Sequence, residues 1–191
     1  MSVRVIGHES YRAMPWKNGG GTTQEIARSG EGESPEWRIS LATIDQSGPF
    51  SDFAGYDRTI VPVQGTFALQ FGDGRRVELA PGGDPLPFAG EDRIECVLEN
   101  GPSRDLNVMT QRTGWTHAVS RRTLEWDELV LPPGQTFVYV ISGDLEAYGA
   151  HGEAMDLRRG DTLQCSEFAE TSVLAHDTAE LLIVELRPQG E

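Results

Sequence analysis

Apolar residues in this chain fall in short runs, β-branched or aromatic, that alternate with polar positions and are closed off by Gly, Pro, Asp or Asn. Such runs occupy 37–44, 59–63, 66–71, 93–98, 106–110, 136–142, 171–175 and 181–186. Alternation with a period of two and turn residues at both ends predicts strands, each with one face turned to a core. The 3.6-residue periodicity of amphipathic helices is nearly missing. The expected class is therefore all-β with few helices, a sandwich or barrel rather than a parallel sheet under helical layers.

The order of strands and glycines repeats. The run at 59–63 leads into Gly65, and Gly82 follows 17 residues later, opening Gly82-Gly83-Asp84-Pro85-Leu86. The run at 136–142 leads into Gly143, and Gly160 follows 17 residues later, opening Gly160-Asp161-Thr162-Leu163. From Leu86 to Val108 is 22 residues and from Leu163 to Val184 is 21, so both units close on a late apolar strand. Two copies of one β unit are implied. Strand, Gly turn, hairpin, Gly-Asp turn and return strand resemble the cupin repeat. That resemblance implies a bicupin, two cupin-type β-barrels (double-stranded β-helices) packed together. Residues 1–115 would form an N-terminal barrel with the ligand pocket, and 116–191 a C-terminal barrel. The stretch 115–131 reads as the crossover between copies.

Charge narrows the partners. Sixteen Lys and Arg against 30 Asp and Glu leave a net charge of −14, which repels nucleic acid and anionic membrane surfaces. No apolar run is long enough to span a bilayer and the start lacks a signal-peptide pattern, so a cytoplasmic location is expected. Cys96 and Cys165 stand far apart with no CxxC spacing, as buried inert thiols would. The histidines, His8, His117, His151 and His176, form no HxH pair, and none follows Gly65 where a cupin metal set would begin. No metal or other cofactor is expected.

Lys17 is the chain's one lysine, and it falls in Met14-Pro15-Trp16-Lys17-Asn18-Gly19-Gly20-Gly21-Thr22-Thr23. An ammonium, an amide, two hydroxyls and exposed glycine N–H groups together can surround a carboxylate. In Trp37-Arg38-Ile39-Ser40 the alternation places Arg38 and Ser40 on one face. Arg38 is thereby aimed into a polar mouth, the adjacent Asp57-Arg58 reads as a surface or strand-end ion pair, and Asn107 is a polar residue inside an apolar strand that needs a partner.

PWKNGGGTTQEIA, WRISLA, GPFSDFAGYDR and RDLNVM, in this order, resemble the HutD/Ves family of bicupins over about the first 110 residues. The resemblance implies an association with histidine utilisation and a regulatory role through binding a small carboxylate. Carried onto this sequence, it points to Trp16, Lys17, Asn18, Gly20, Thr22, Arg38, Arg58 and Asn107 as ligand-binding residues. The leading expectation is a non-catalytic sensor of a small anionic metabolite such as N-formylglutamate, urocanate or formate. The alternative is a metal-independent isomerase or deformylase with Lys17 as base or nucleophile and Glu25 or Asp57 as proton carrier. A third reading is a scaffold whose second barrel offers a homodimer or partner surface.

Overall fold

The computed structural model describes residues 3–16, 18–149, 153–166 and 171–190. Its strands, in chain order, are β1 (Val3–Ile6), β2 (Arg12–Pro15), β3 (Gly21–Arg28), β4 (Trp37–Ile44), β5 (Gly48–Pro49), β6 (Tyr56–Gln64), β7 (Phe67–Phe71), β8 (Arg76–Leu79), β9 (Leu86–Ala89) and β10 (Ile94–Leu98). They continue with β11 (Ser103–Gln111), β12 (Trp115–Glu125), β13 (Glu128–Val130), β14 (Gln135–Ser142), β15 (Leu145–Tyr148), β16 (Ala154–Leu157), β17 (Thr162–Cys165), β18 (Ser172–Ala175) and β19 (Thr178–Pro188). A single 3-10 turn, His8–Ser10, is the helical content of the described residues.

The chain divides into two compact units. One runs from Arg12 to Thr116 and takes in the last residues from Gln189; the other combines the residues up to Tyr11 with His117–Pro188. In the N-terminal unit a six-stranded sheet, β2-β3-β4-β11-β6-β9, is accompanied by a four-stranded sheet, β5-β10-β7-β8. In the C-terminal unit the corresponding sheets are β1-β17-β14-β19-β12 and β13-β18-β15-β16. The repeat read in the sequence is one of pairings: β6 with β11 and β9, then β14 with β19 and β17. Gly65 and Gly143 mark its equivalent turns, with φ of 73° and 79°. A Cβ on Gly65 would lie 2.5 Å from Ser103 Oγ at the start of β11, and one on Gly143 would lie 2.6 Å from Thr178 O at the start of β19. Both positions thus need left-handed backbone and close approach to the return strand, which only glycine accommodates without strain.

Two features depart from the sequence reading. The opening residues belong to the C-terminal barrel: β1 pairs antiparallel with β17, Val3 opposite Cys165 and Ile6 opposite Thr162. Tyr11 then donates from its hydroxyl to Gly160 O at 2.7 Å and buries its ring. The stretch expected as a crossover is instead strand β12 plus the short β13. Its alternation is carried by Thr, His, Ser and Arg, so it lacks the apolar rhythm that marks the other strands.

Each unit has its own core. Ile44, Ile60, Phe67, Leu69, Phe71, Ile94 and Cys96 fill the first, while Val138, Leu145, Leu157, Leu163, Val173 and Leu181 are among those in the second. Both thiols are free and buried, and burial pushes Cys96 up to about 12 and Cys165 to about 11, so neither is a nucleophile at neutral pH. No helix of the described residues is long and apolar enough to cross a membrane.

Candidate functional site

The six-stranded sheet of the N-terminal barrel turns one face to the apolar core and sets polar side chains into that same face. Cross-strand partners share a face. Arg58 on β6 stands opposite Met109 on β11, Met109 opposite Arg38 on β4, and Arg38 opposite Arg28 on β3. Two residues along β6, β11 and β4, and three along β3 where the register shifts between Glu25 and Ala27, comes a second row of Ile60, Asn107, Ser40 and Glu25, and then a third of Pro62, Asp105, Ala42 and Thr23. Ile60 and, further along, Ile44 belong to the core cluster, which identifies this face as the interior one.

Arg58 is 6% exposed, and its guanidinium lies 5.4 Å from the ring of Phe50, 5.1 Å from Phe53 and 4.9 Å from Phe88. Arg38 is half-buried, lies 5.4 Å from the ring of Phe53 and donates from Nη2 to Met109 Sδ at 3.2 Å. Both cations therefore share Phe53, held by the loop after β5. Ring faces attract guanidinium groups, by about 0.5–2 kcal/mol each as the site dries. They do not replace the hydrogen bonds lost on burial. Burial pulls both guanidiniums down, Arg58 to about 10, so each stays charged at neutral pH.

Asp105 is 2% exposed, and burial raises its carboxyl to about 7 against the opposing pull of Arg58. Among the described residues, Arg28 Nε, Arg38 Nε, Arg58 Nε, Asp105 Oδ2, Asn107 Oδ1 and Glu25 Oε2 are buried on this wall without a hydrogen-bond partner. Glu25 Oε2 does lie 3.8 Å from Arg28 Nη1, an ion pair too long for a hydrogen bond. Buried polar groups are ordinarily satisfied. Six such atoms on one wall form a set of three donors and three acceptors facing the same interior, the pattern of a site that something polar completes.

The residues singled out from the sequence divide into two places. Arg38, Arg58 and Asn107 come together on this wall. Trp16, Asn18 and Gly20 sit at the other end of the sheet, where Gly21 pairs with Ile44, six strand residues or about 20 Å from Arg38. There they build a turn: Asn18 Oδ1 accepts the Gly20 N–H at 3.0 Å, and Gly20 O accepts from Asp45 and Gln46. Trp16 lies against Gly21, packs on the edge of the core and donates from Nε1 to Thr23 Oγ1 at 2.8 Å. Thr22, opposite Thr43, points to the other face of the sheet. Lys17 lies outside the described residues. Asp57 does not pair with Arg58; it projects to the opposite side and accepts from Arg112 Nε at 2.8 Å.

Sequence reasoning missed Asp105, Phe50, Phe53 and Phe88, and it held Glu25 only as a proton carrier. A signal for Asp105 existed. It precedes Asn107 by two in an apolar strand, so the two share a face. Outside this barrel, His8, Glu9 and Asp161 bring metal-capable atoms within 4.8 Å of one another in the C-terminal unit. Asp161 is already committed there, accepting the His8 and Arg158 N–H groups at 3.0 Å each.

Paired antiparallel barrels with Gly turns at repeat positions define a bicupin. Solved structures agree: a cupin 2 barrel protein from Leptotrichia buccalis superposes with a TM-score of 0.62 at 11% identity over 86% of this chain and 88% of its own. More specifically, the HutD family's sequence model matches residues 8–183, and the chain belongs to that family. HutD from Pseudomonas fluorescens SBW25, solved in a formate condition, aligns with a TM-score of 0.83 at 30% identity, covering 99% of this chain and 100% of that one. A conserved protein of unknown function from Pseudomonas aeruginosa PAO1 reaches 0.89 at 28% identity over 97% of this chain and 99% of its own. Among curated relatives, an uncharacterized 21.2 kDa protein in the hutC 3' region of Pseudomonas putida is 42% identical over 56% of this chain. Protein Ves of Citrobacter koseri is 35% identical over 53% of it. The alignments span just over half the length of those two relatives, 57% and 56%.

Proposed function

We propose that this protein is a metal-free binding protein for a small carboxylate metabolite, a sensor within histidine utilisation, and that the ligand occupies the interior wall of the N-terminal barrel. The observation that carries the reading is the half-buried Arg38 beside the buried Arg58, each with a buried and unpartnered Nε, a local concentration of positive charge in a chain of net charge −14. Glu25 and Asp105 offset part of that charge, and a carboxylate ligand offers the matching two-oxygen acceptor for the rest. The hutC-region name of the Pseudomonas putida relative and the formate condition of the Pseudomonas fluorescens structure support the choice of metabolites.

The unpartnered acceptors refine that choice. Asn107 Oδ1 and Asp105 Oδ2 ask for a donor beside the carboxylate. N-formylglutamate supplies an amide N–H and urocanate an imidazole N–H, while formate supplies neither. Thermal denaturation with this panel tests the proposal. Free ligand at about 100 times its Kd adds about 2.7 kcal/mol of stability. The two donor-bearing compounds should raise Tm at lower concentrations than formate, and no shift with any of them would refute the reading.

A second reading is favoured by one observation. A carboxyl at about 7 beside a guanidinium is suited to proton transfer near neutral pH. In a metal-independent isomerase or deformylase Asp105 would be the base. Proton NMR of N-formylglutamate incubated with the protein separates the two, since deformylation releases the formate singlet and binding alone does not.

A further inference from the structure

The outer face of the four-stranded sheet in the C-terminal unit is unlike an ordinary solvated surface. Its inner face carries Leu129, Ala147, Met155 and Val173 into the core. The outer one presents two cross-strand rows. Glu128, Leu174, Glu146 and Asp156 form the first, and Val130, Ser172, Tyr148 and Ala154 the second. Val130 is 70% exposed, and at the corner where β12 turns into β13 Trp126 is 76% exposed.

Trp126 has φ of 52°, the left-handed conformation that bulky L residues avoid. The turn is fixed around it. Asp127 Oδ1 accepts the Glu128 N–H at 2.9 Å, and Asp127 O accepts from Ala175 at 3.0 Å. The backbone thus holds a large ring outward where Asn or Gly would be unstrained. Beside the rows lies a cleft of about 420 Å³ between Asp144, Glu146, Asp156, Arg158, His176 and Asp177. Glu146 lines it, accepting from Tyr148 at 2.6 Å with His176 Nε2 at 2.8 Å.

We propose that this face docks a basic, arginine-bearing segment of a partner protein, with Trp126 as the anchor. Charge chooses the occupant. A second copy applied to the same patch would set Glu128, Glu146 and Asp156 against themselves, because a two-fold interface repeats its own surface. Nucleic acid is repelled by the same carboxylates. A guanidinium is attracted both by the indole face and by the flanking acids, and an extended chain can run across the strands toward the cleft.

The probe is an acetylated (Gly-Arg)4 amide peptide, compared with its Gly-Lys counterpart, titrated at low ionic strength into the full chain. The indole N–H resonances of the four tryptophans are followed by proton–nitrogen NMR. The Trp126 resonance should move first, and the Arg peptide should bind more tightly than the Lys peptide. Trp126→Asn, which keeps the charge and suits the positive φ, should weaken binding about fivefold. Equal affinity in Trp126→Asn, or movement of other indoles with Trp126 silent, would overturn the proposal. So would a dimer in light scattering that Trp126→Asn dissolves, because a second copy would then be the occupant.

Discussion

Replacing Asp105 by Asn removes a group whose ionisation the barrel resists. In an unfolded chain this carboxyl titrates near 3.8, and in the folded barrel burial lifts it to about 7. The folded state therefore holds a proton that the unfolded state has released over that interval, so wild-type stability falls as pH rises from about 4 to 7. At about 1.4 kcal/mol per pH unit the full cost at alkaline pH is about 4 kcal/mol, with the opposing attraction of Arg58 already included. Asn is nearly isosteric and never ionises, so Asp105→Asn escapes this penalty. Urea denaturation of both proteins at pH 4.5 and pH 8 isolates the effect, since carboxylates common to both cancel in the difference. The advantage of the variant should grow by about 3 kcal/mol between those two values. A pH-independent difference, or a variant that loses ground at pH 8, would mean that Asp105 is ionised throughout and stabilises Arg58 as an ordinary ion pair.

Arg58→Met should push the buried Asp105 carboxyl higher still, because the cation that pulls it down is gone, so in urea denaturation the variant should lose stability more steeply than wild type between pH 7 and pH 9. The same variant should lose the thermal shift given by N-formylglutamate. Gly65→Ala and Gly143→Ala should each cost more than about 2 kcal/mol in urea unfolding and by similar amounts, since both add a Cβ at positive φ within 2.6 Å of the return strand. Unequal losses would argue that the two turns are not equivalent. Trp16→Phe should cost about 1 kcal/mol through the lost bond to Thr23, without changing Kd for a ligand on the arginine wall.

The fold was legible where the backbone dictates composition. Apolar alternation marked the central strands, and glycines at a fixed spacing marked the repeat, because positive φ at a tight turn leaves few alternatives. β12 escaped because its exposed and half-exposed positions are filled by Thr, His, Ser and Arg, which an alternation of hydrophobicity does not register. The placement of β1 escaped because a four-residue strand says nothing of which sheet it joins. The site was legible in part. Arg38, Arg58 and Asn107 stand out as polar residues in strand patterns, and register brings them together. Asn18 and Gly20 drew notice through the triple glycine, yet their polar groups are used in a local turn about 20 Å along the sheet. A glycine-rich segment attracts attention for its backbone, and the backbone there serves the fold. Phe50 and Phe53 carry no such mark in the sequence. Their role depends on which cations the loop covers, which no local pattern contains.

The central claim is that a carboxylate binds between the two arginines of the interior wall. The most direct measurement is a titration of the Nε–H resonances of Arg38 and Arg58 with N-formylglutamate. Both should move with one common Kd, while that of Arg112, tied to Asp57 and Glu91 at the surface, stays in place. If Arg38 and Arg58 stay fixed while the compound binds elsewhere, or move no more than Arg112, the site is not where this account puts it.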